Sequence, residues 1–370
     1  MKERPQNLVP LRPEPVVTDV GPESVHKKSD VAAVAEKLLS GSFVRIQDAY
    51  PTGMKVMAEL KHQVFGGRKG AGKKPGKNRA DDFQTYRAQR TTFRHASNRL
   101  LVPVQDNRIA LQKSPEIGWL KELYPDVSGF LLPFPQIQGL NSSWQWFLKG
   151  IRFPVLKHAV YPWYGTYFPT RFDHLFLFEE WLENYSGSRS HALDIGTGCG
   201  VLAFQLLKHG FEQVLATDIN PGAIITVREN AKHQGVEGRL EARLSDLFEG
   251  CDRKADLMVF NPPWLPTDSE YETTVLDKAI YYEPDLFERF FSDAARFLDD
   301  DGRIVMFFSN LGRTEGMQKD HPIEQELAQN RRYKKVRVLR RKAAGPSRRT
   351  RRRDHRKEEY VELWELAVHH

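Results

Sequence analysis

ALDIGTGCGVLAF, residues 192–204, is the stretch on which the fold turns. Ala192–Ile195 reads as the end of an apolar strand and Val201–Phe204 as the start of an apolar helix. Between them, glycines fall at 196, 198 and 200. Glycine tolerates positive φ and leaves the backbone open to close approach by a ligand. Such a turn suits a dinucleotide or an adenosyl cofactor. The spacing is G-x-G-x-G and lacks the third glycine of G-x-G-x-x-G, which disfavours a nicotinamide site. Taken alone, the turn leaves a plain strand-to-helix connection open.

The pattern extends outward from this turn. From about residue 160 the runs HALDI, QVLATDI, LEARLSD, DLMVF and RIVMFFS alternate with helical segments such as AIITVRENAKHQG and DLFERFFSDAARFL. Alternation of this kind predicts the α/β class with a parallel, doubly wound sheet. A helix near 322–329 follows, and then YKKVRVLRR and YVELWELAV, two strands read as a hairpin around a long basic loop. The strands end on polar residues, at the edge where open α/β sheets bind ligands. Asp218 can accept from both hydroxyls of a ribose, and Asp246 from the exocyclic amine of adenine. The fourth strand ends in FNPPWLP, residues 260–266. Two prolines cannot continue a central strand, so the chain must leave the sheet at Asn261.

Together, LDIGTGCG, Asp218, Asp246 and FNPPW make the stretch 190–310 resemble the class I S-adenosylmethionine-dependent methyltransferases. FNPPW looks like the (N/D)-P-P-(Y/F/W) motif of their amino-methylating branch. SDLFEG followed by DLMVFNPPWLPTD is similar to the release-factor N5-glutamine methyltransferases and to the ribosomal RNA "small domain" N-methyltransferases. The resemblance implies a doubly wound, seven-stranded Rossmann-like sheet and S-adenosyl-L-methionine as cofactor. It implies cofactor contacts from Asp194, Gly196, Thr197, Gly198 and Gly200, from Asp218 and Ile219, and from Asp246, Leu247 and Asn261. GTYFPTRFDHLFLFEEWL, 165–182, is similar to the segment that these enzymes fold over the cofactor, so Phe168, Thr170 and Arg171 are expected there too. Trp264 departs from the usual Tyr or Phe, and Leu265 from the His that follows in the ribosomal RNA enzymes.

The chemistry of such a transfer fits the residues. The lone pair of an amide or aromatic amino nitrogen is delocalised, which makes it a poor nucleophile with two N–H groups. Acceptors on those N–H groups, here the Asn261 side chain and the Pro262 carbonyl, orient the lone pair towards the methyl group. Trp264 supplies a flat face for a planar group. No strong base is needed, because the nitrogen becomes acidic once methylated. The catalytic candidates are therefore Asn261, Pro262 and Trp264.

Composition sets the remaining bounds. The chain has 370 residues, 40% hydrophobic and 28% charged, as expected of a soluble globular protein with more than one domain. The start shows no apolar signal segment and no run approaches a membrane span, which gives an expectation of a cytoplasmic protein. The two cysteines, Cys199 and Cys251, are expected to be reduced, and no His/Cys cluster has metal-binding spacing. The net charge of +7 is uneven. Residues 65–95 carry nine Lys/Arg against two Asp, and residues 331–357 carry fifteen against one, so the remainder is acidic. Basic patches on an acidic body suggest a polyanionic partner. RNA, ribosomal or transfer, is thus the first expected acceptor. A protein glutamine is the second and a small amine the third, with a non-catalytic RNA-binding scaffold as the alternative outside enzymes.

The expected organisation is a disordered tail over 1–28, an α+β accessory domain over 29–155 with a basic loop at 66–79, and a methyltransferase domain over 160–370 with a basic loop at 340–357. Within the accessory domain, Ser29 or Asp30 can cap a helix ending before Gly41. LLVPV and RIAL suggest a hairpin turning at Gln105–Asn107. Gly67–Lys73 fits the phosphate-loop spacing, but Lys74 stands where a Ser or Thr is required, so no nucleotide site is expected there.

Overall fold

The computed structural model describes residues 8–18, 21–66, 79–267, 279–314, 316–343 and 358–369. The phosphate-loop-like stretch and most of both expected basic loops lie outside these residues. The chain divides into two compact units, Arg12–Gln145 and a second one built on Trp146–His370 with N-terminal residues up to Leu11.

The first unit contains β1 (Glu23–Val25), α1 (Val31–Ser40), β2 (Val44–Ile46), α2 (Tyr50–Phe65), α3 (Arg79–Ser97), β3 (Leu100–Gln105), β4 (Arg108–Ile109), α4 (Trp119–Leu123) and β5 (Gly129–Pro133). It also holds most of α5 (Phe134–Lys149). Asp30 caps α1 by accepting from Ala32 and Ala33, and Gly41 ends it at φ 109°. Asp106 and Asn107 sit at φ 49° and 61°, the left-handed pair that a two-residue hairpin loop requires, and they join β3 to β4. One expectation fails here. Part of the presumed disordered tail is structured, because Glu23–Val25 pairs in parallel with Val44–Ile46, and Val16 donates to the Leu131 carbonyl. Val25 is fully buried, and the proline-rich stretch before it does not prevent three residues from completing a sheet edge.

The second unit carries α6 (Asp173–Glu183), β6 (His191–Ile195), α7 (Val201–Lys208), β7 (Gln213–Asp218), α8 (Pro221–Gln234), β8 (Leu240–Leu244) and β9 (Ala255–Phe260). After these come β10 (Leu265–Pro266), β11 (Tyr281–Tyr282), α9 (Leu286–Ala294), β12 (Leu298–Ser309), α10 (Leu311–Thr314), α11 (Pro322–Gln325), β13 (Tyr333–Lys342) and β14 (Tyr360–Val368). The main sheet has seven strands in the order β13-β14-β12-β9-β6-β7-β8. β12, β9, β6, β7 and β8 run parallel, whereas β14 is antiparallel to both β12 and β13. The sheet is therefore the expected doubly wound one with a single reversed strand. Order along the sheet turns around at β6 and β9, which places the crevice above their carboxyl ends.

β14 carries two glutamates, yet is buried along most of its length. Its glutamates are held by specific partners. Glu362 takes hydrogen bonds from Trp364 Nε1 and Arg340 and meets His321 Nε2 at 2.9 Å. Glu365 accepts from Trp181 Nε1 at 2.8 Å and pairs with Arg337. The aliphatic and aromatic remainder completes the two faces. On one face Phe307 of β12, fully buried, packs against Phe178 of α6 at 5.6 Å. Replacing Phe307 with Ala is expected to cost about 3–5 kcal/mol of stability in urea unfolding. A loss below about 1 kcal/mol would mean that α6 is not anchored there.

Candidate functional site

A cleft of about 540 Å³ opens along the carboxyl edge of the sheet, wholly within the second unit, and is of the size usual for a cofactor site. Its floor is the turn after β6. Gly196 and Gly198 adopt φ 64° and 53°, a region that costs an L-residue strain. A Cβ on Gly198 would also stand 3.1 Å from the Tyr167 carbonyl oxygen, so the bare backbone lets the 165–171 segment cross the turn. Beneath it, Asp194 is fully buried and ties the turn to the helix. Its Oδ2 accepts from Thr197 Oγ1 at 2.6 Å and from Ala203 N at 3.1 Å. Burial pushes its carboxyl up to about 7, against the pull of those two hydrogen bonds.

At the next strand end, Asp218 Oδ2 accepts from Gly198 N and Oδ1 from Asn220 N, both at 2.8 Å. Burial raises its pKa, and the backbone donors oppose that shift. Its oxygens are thereby fixed while retaining lone pairs towards the cleft. Asp246, beyond β8, forms an ion pair with Arg289 of α9, a partner that the sequence did not suggest. Ile219 and Leu247 add apolar wall on this side. At the other end of the cleft lie Thr170, Arg171, Leu311 and Glu359, and between the two ends lies Asn261-Pro262-Pro263-Trp264.

Trp264 both walls the cleft and points its indole Nε1 at Asn261 Oδ1, 3.1 Å away. That contact orients the amide, with its oxygen held by the indole and its second lone pair unused by that bond. Trp264 in turn packs edge-on against His174 at 5.9 Å. His174 is buried, lines the cleft, and has no hydrogen-bond partner on either ring nitrogen among the described residues. Burial lowers its pKa to about 4, so the ring is neutral at physiological pH.

The structure brings Gly196, Thr197, Gly198, Asp218, Ile219, Asp246, Leu247, Asn261, Pro262, Trp264, Thr170 and Arg171 to one cleft. Three expected cofactor residues do not line it. Asp194 lies under the turn. Gly200 caps α7, and a Cβ there would meet Val227 Cγ2 at 2.9 Å, so the bare backbone packs against α8. Phe168 packs on the core against Trp146 at 5.6 Å. Sequence reasoning missed Tyr167, His174, Arg289 and Glu359. The first two sit within the covering segment and the helix after it, but Glu359 has no local motif to reveal it. Cys199 is buried and its thiol is pushed up to about 12 by that burial, as suits a packing residue. Both cysteines are free. Among the described residues no helix is long and apolar enough to cross a membrane, and no group of three or more His, Cys, Asp or Glu is placed to hold a metal.

These residues fit an adenosyl cofactor: a cradle that a Cβ would fill, a fixed carboxylate one strand away, and a second carboxylate beyond it. Comparison with known proteins agrees. Residues 175–337 match the family model described as methyltransferase small domain. A putative protein N5-glutamine methyltransferase of Methanocaldococcus jannaschii is 31% identical over 139 residues, 35% of this chain and 68% of that protein. A release factor glutamine methyltransferase of Cereibacter sphaeroides is 43% identical over 81 residues, 20% of this chain and 28% of that one. A ribosomal protein L11 methyltransferase of Heliobacterium modesticaldum is 40% identical over 80 residues, 22% and 25% of the respective chains. The chain thus spans about two thirds of the archaeal relative and under a third of these two bacterial ones.

A pH prediction follows from His174. Its folded pKa lies below the usual 6.5, so the stability it lends is present above pH 6.5 and is lost as pH falls towards 4. Asp194, raised to about 7, acts in the opposite sense, so the comparison must be made between variants. The His174→Phe protein should lose less stability than the parent between pH 7 and pH 4.5 in urea titrations. An equal loss would show that the imidazole titrates normally.

The glycine cradle, the strand-end acids and the shared sequence lead to one assignment: the chain belongs to the class I S-adenosyl-L-methionine-dependent methyltransferases, in the methyltransferase small domain family.

Proposed function

We propose that the protein methylates the nitrogen of a side-chain carboxamide, a glutamine, in a protein of the translation apparatus, and that it acts in the cytoplasm. The observation that carries this reading is the hydrogen bond from Trp264 Nε1 to Asn261 Oδ1. It fixes the amide oxygen before the acceptor arrives, beside the rigid Pro262-Pro263 pair. The names of the relatives support the choice of a glutamine over other planar nitrogens.

Asp218 would hold the ribose, Asp246 and Leu247 the adenine side, and the Gly196–Gly198 backbone the middle of the cofactor. When bound, the cofactor supplies an electrophilic methyl group on a positively charged sulfur. Asn261 Oδ1 and the Pro262 carbonyl accept the two N–H groups of the incoming amide and turn its lone pair out of conjugation. The nitrogen so oriented would bond to the methyl group as the carbon–sulfur bond breaks, and the electron pair would stay with sulfur. The N–H, made acidic by methylation, then releases its proton to water, so no side chain need act as a strong base. Positioning and fixed dipoles carry most of the acceleration.

A base of ribosomal or transfer RNA is the second reading. It is favoured by the exposed cations on edge strand β13, among them Lys334, Lys335, Arg341 and Lys342.

Incubating the full chain with methyl-labelled cofactor and either ribosomal proteins and release factors or total RNA tests the choice. Label is expected in protein, at glutamine. Label only in RNA would overturn the glutamine assignment. Asn261→Ala should reduce transfer at least about 100-fold while leaving cofactor affinity within a few-fold. Retained turnover would remove the amide from the reaction.

A further inference from the structure

Glu359 lines the cleft but belongs to neither the glycine turn, the strand-end acids, the proline motif nor the covering segment. It precedes β14, which enters the sheet from the cleft edge because it runs antiparallel to β12. Its side chain is fully buried, yet it lines the cleft. Oε1 accepts from Arg171 Nη1, whereas Oε2 is buried with no hydrogen-bond partner among the described residues. A buried carboxylate oxygen left without a donor is costly, and a donor carrying positive charge relieves that cost best. The terminal torsion of a glutamate is broad, so Oε2 can turn to the cleft within its rotamer.

The order of groups along the edge says which donor meets it. Asp246 and Asp218 stand at the ends of β8 and β7, the glycine turn at β6, Asn261 at β9, and Leu311 and Glu359 past β12 and before β14. A ligand with adenine by Asp246 and ribose by Asp218 extends its remaining arm towards Asn261 and the wall beyond. In the cofactor that arm ends in an α-amino acid, an ammonium beside a carboxylate. We propose that Glu359 Oε2 receives this ammonium, so that the amino-acid end of the cofactor is recognised by a charge supplied from the last strand. An N–H of the acceptor is the other possible source of the same donor chemistry.

Cofactor binding separates these sources without any acceptor present, and so stands apart from the glutamine assignment. S-adenosyl-L-homocysteine carries the amino-acid end, and 5′-methylthioadenosine lacks it. By titration calorimetry, Glu359→Gln in the full chain should weaken S-adenosyl-L-homocysteine by about 10- to 100-fold, the range of a charge-assisted hydrogen bond. Its affinity for 5′-methylthioadenosine should stay within about twofold, which also reports that the variant is folded. Unchanged affinity for S-adenosyl-L-homocysteine overturns the proposal and transfers Oε2 to the acceptor. Equal weakening of both ligands also overturns it, because Glu359 would then only support the cleft wall.

Discussion

A carboxylate with no exposed surface sits under the turn that makes the cleft. Asp194 holds Thr197 and the first turn of α7 at once, and so sets where the Gly196–Gly198 backbone lies. That placement allows Gly198 to donate to Asp218 on the next strand and the 165–171 segment to pass close above. The site is therefore fixed from beneath by carboxylates that accept from main-chain N–H groups and from the Thr197 hydroxyl. The burial that raises the Asp194 pKa places this carboxylate under the turn and not on the cleft wall, although its position in the motif reads as a ligand contact.

The middle of the cleft is organised on a similar plan. Two prolines limit the backbone after Asn261, and the indole of Trp264 limits the amide itself. An aromatic residue at this point is expected to provide a stacking face. The indole adds a donor, which phenylalanine lacks, and spends it on Asn261, the residue proposed to orient the acceptor. His174 against the indole is kept neutral by burial and has no hydrogen-bond partner among the described residues, so it brings no charge to this part of the cleft.

Much of this was legible in the sequence because it is local. The glycines, the acids at strand ends and NPPW are each encoded within a few residues, and the αL pair Asp106-Asn107 announced its hairpin. What was not legible depends on distant pairing. The partnership of Arg171 with Glu359 spans 188 residues and that of Arg289 with Asp246 spans 43. No pattern within one strand signals such contacts. The burial of β14 was hidden for the same reason, since Glu362 and Glu365, one on each face of the strand, look solvated until His321, Trp364 and Trp181 are seen to hold them. The parallel pairing of Glu23–Val25 likewise follows from a vacant sheet edge, not from its own propensity.

The reversed strand has a wider implication. Because β14 runs against its neighbours, the connection that feeds it leaves from Lys342 and returns at Glu358, both on the ligand-binding rim. The registers on either side of it, Lys342 with Tyr360 and Ser309 with Val361, are made by the strands themselves. The architecture thereby brings both ends of that connection to the rim of the cleft, on foundations that the strand pairing alone determines.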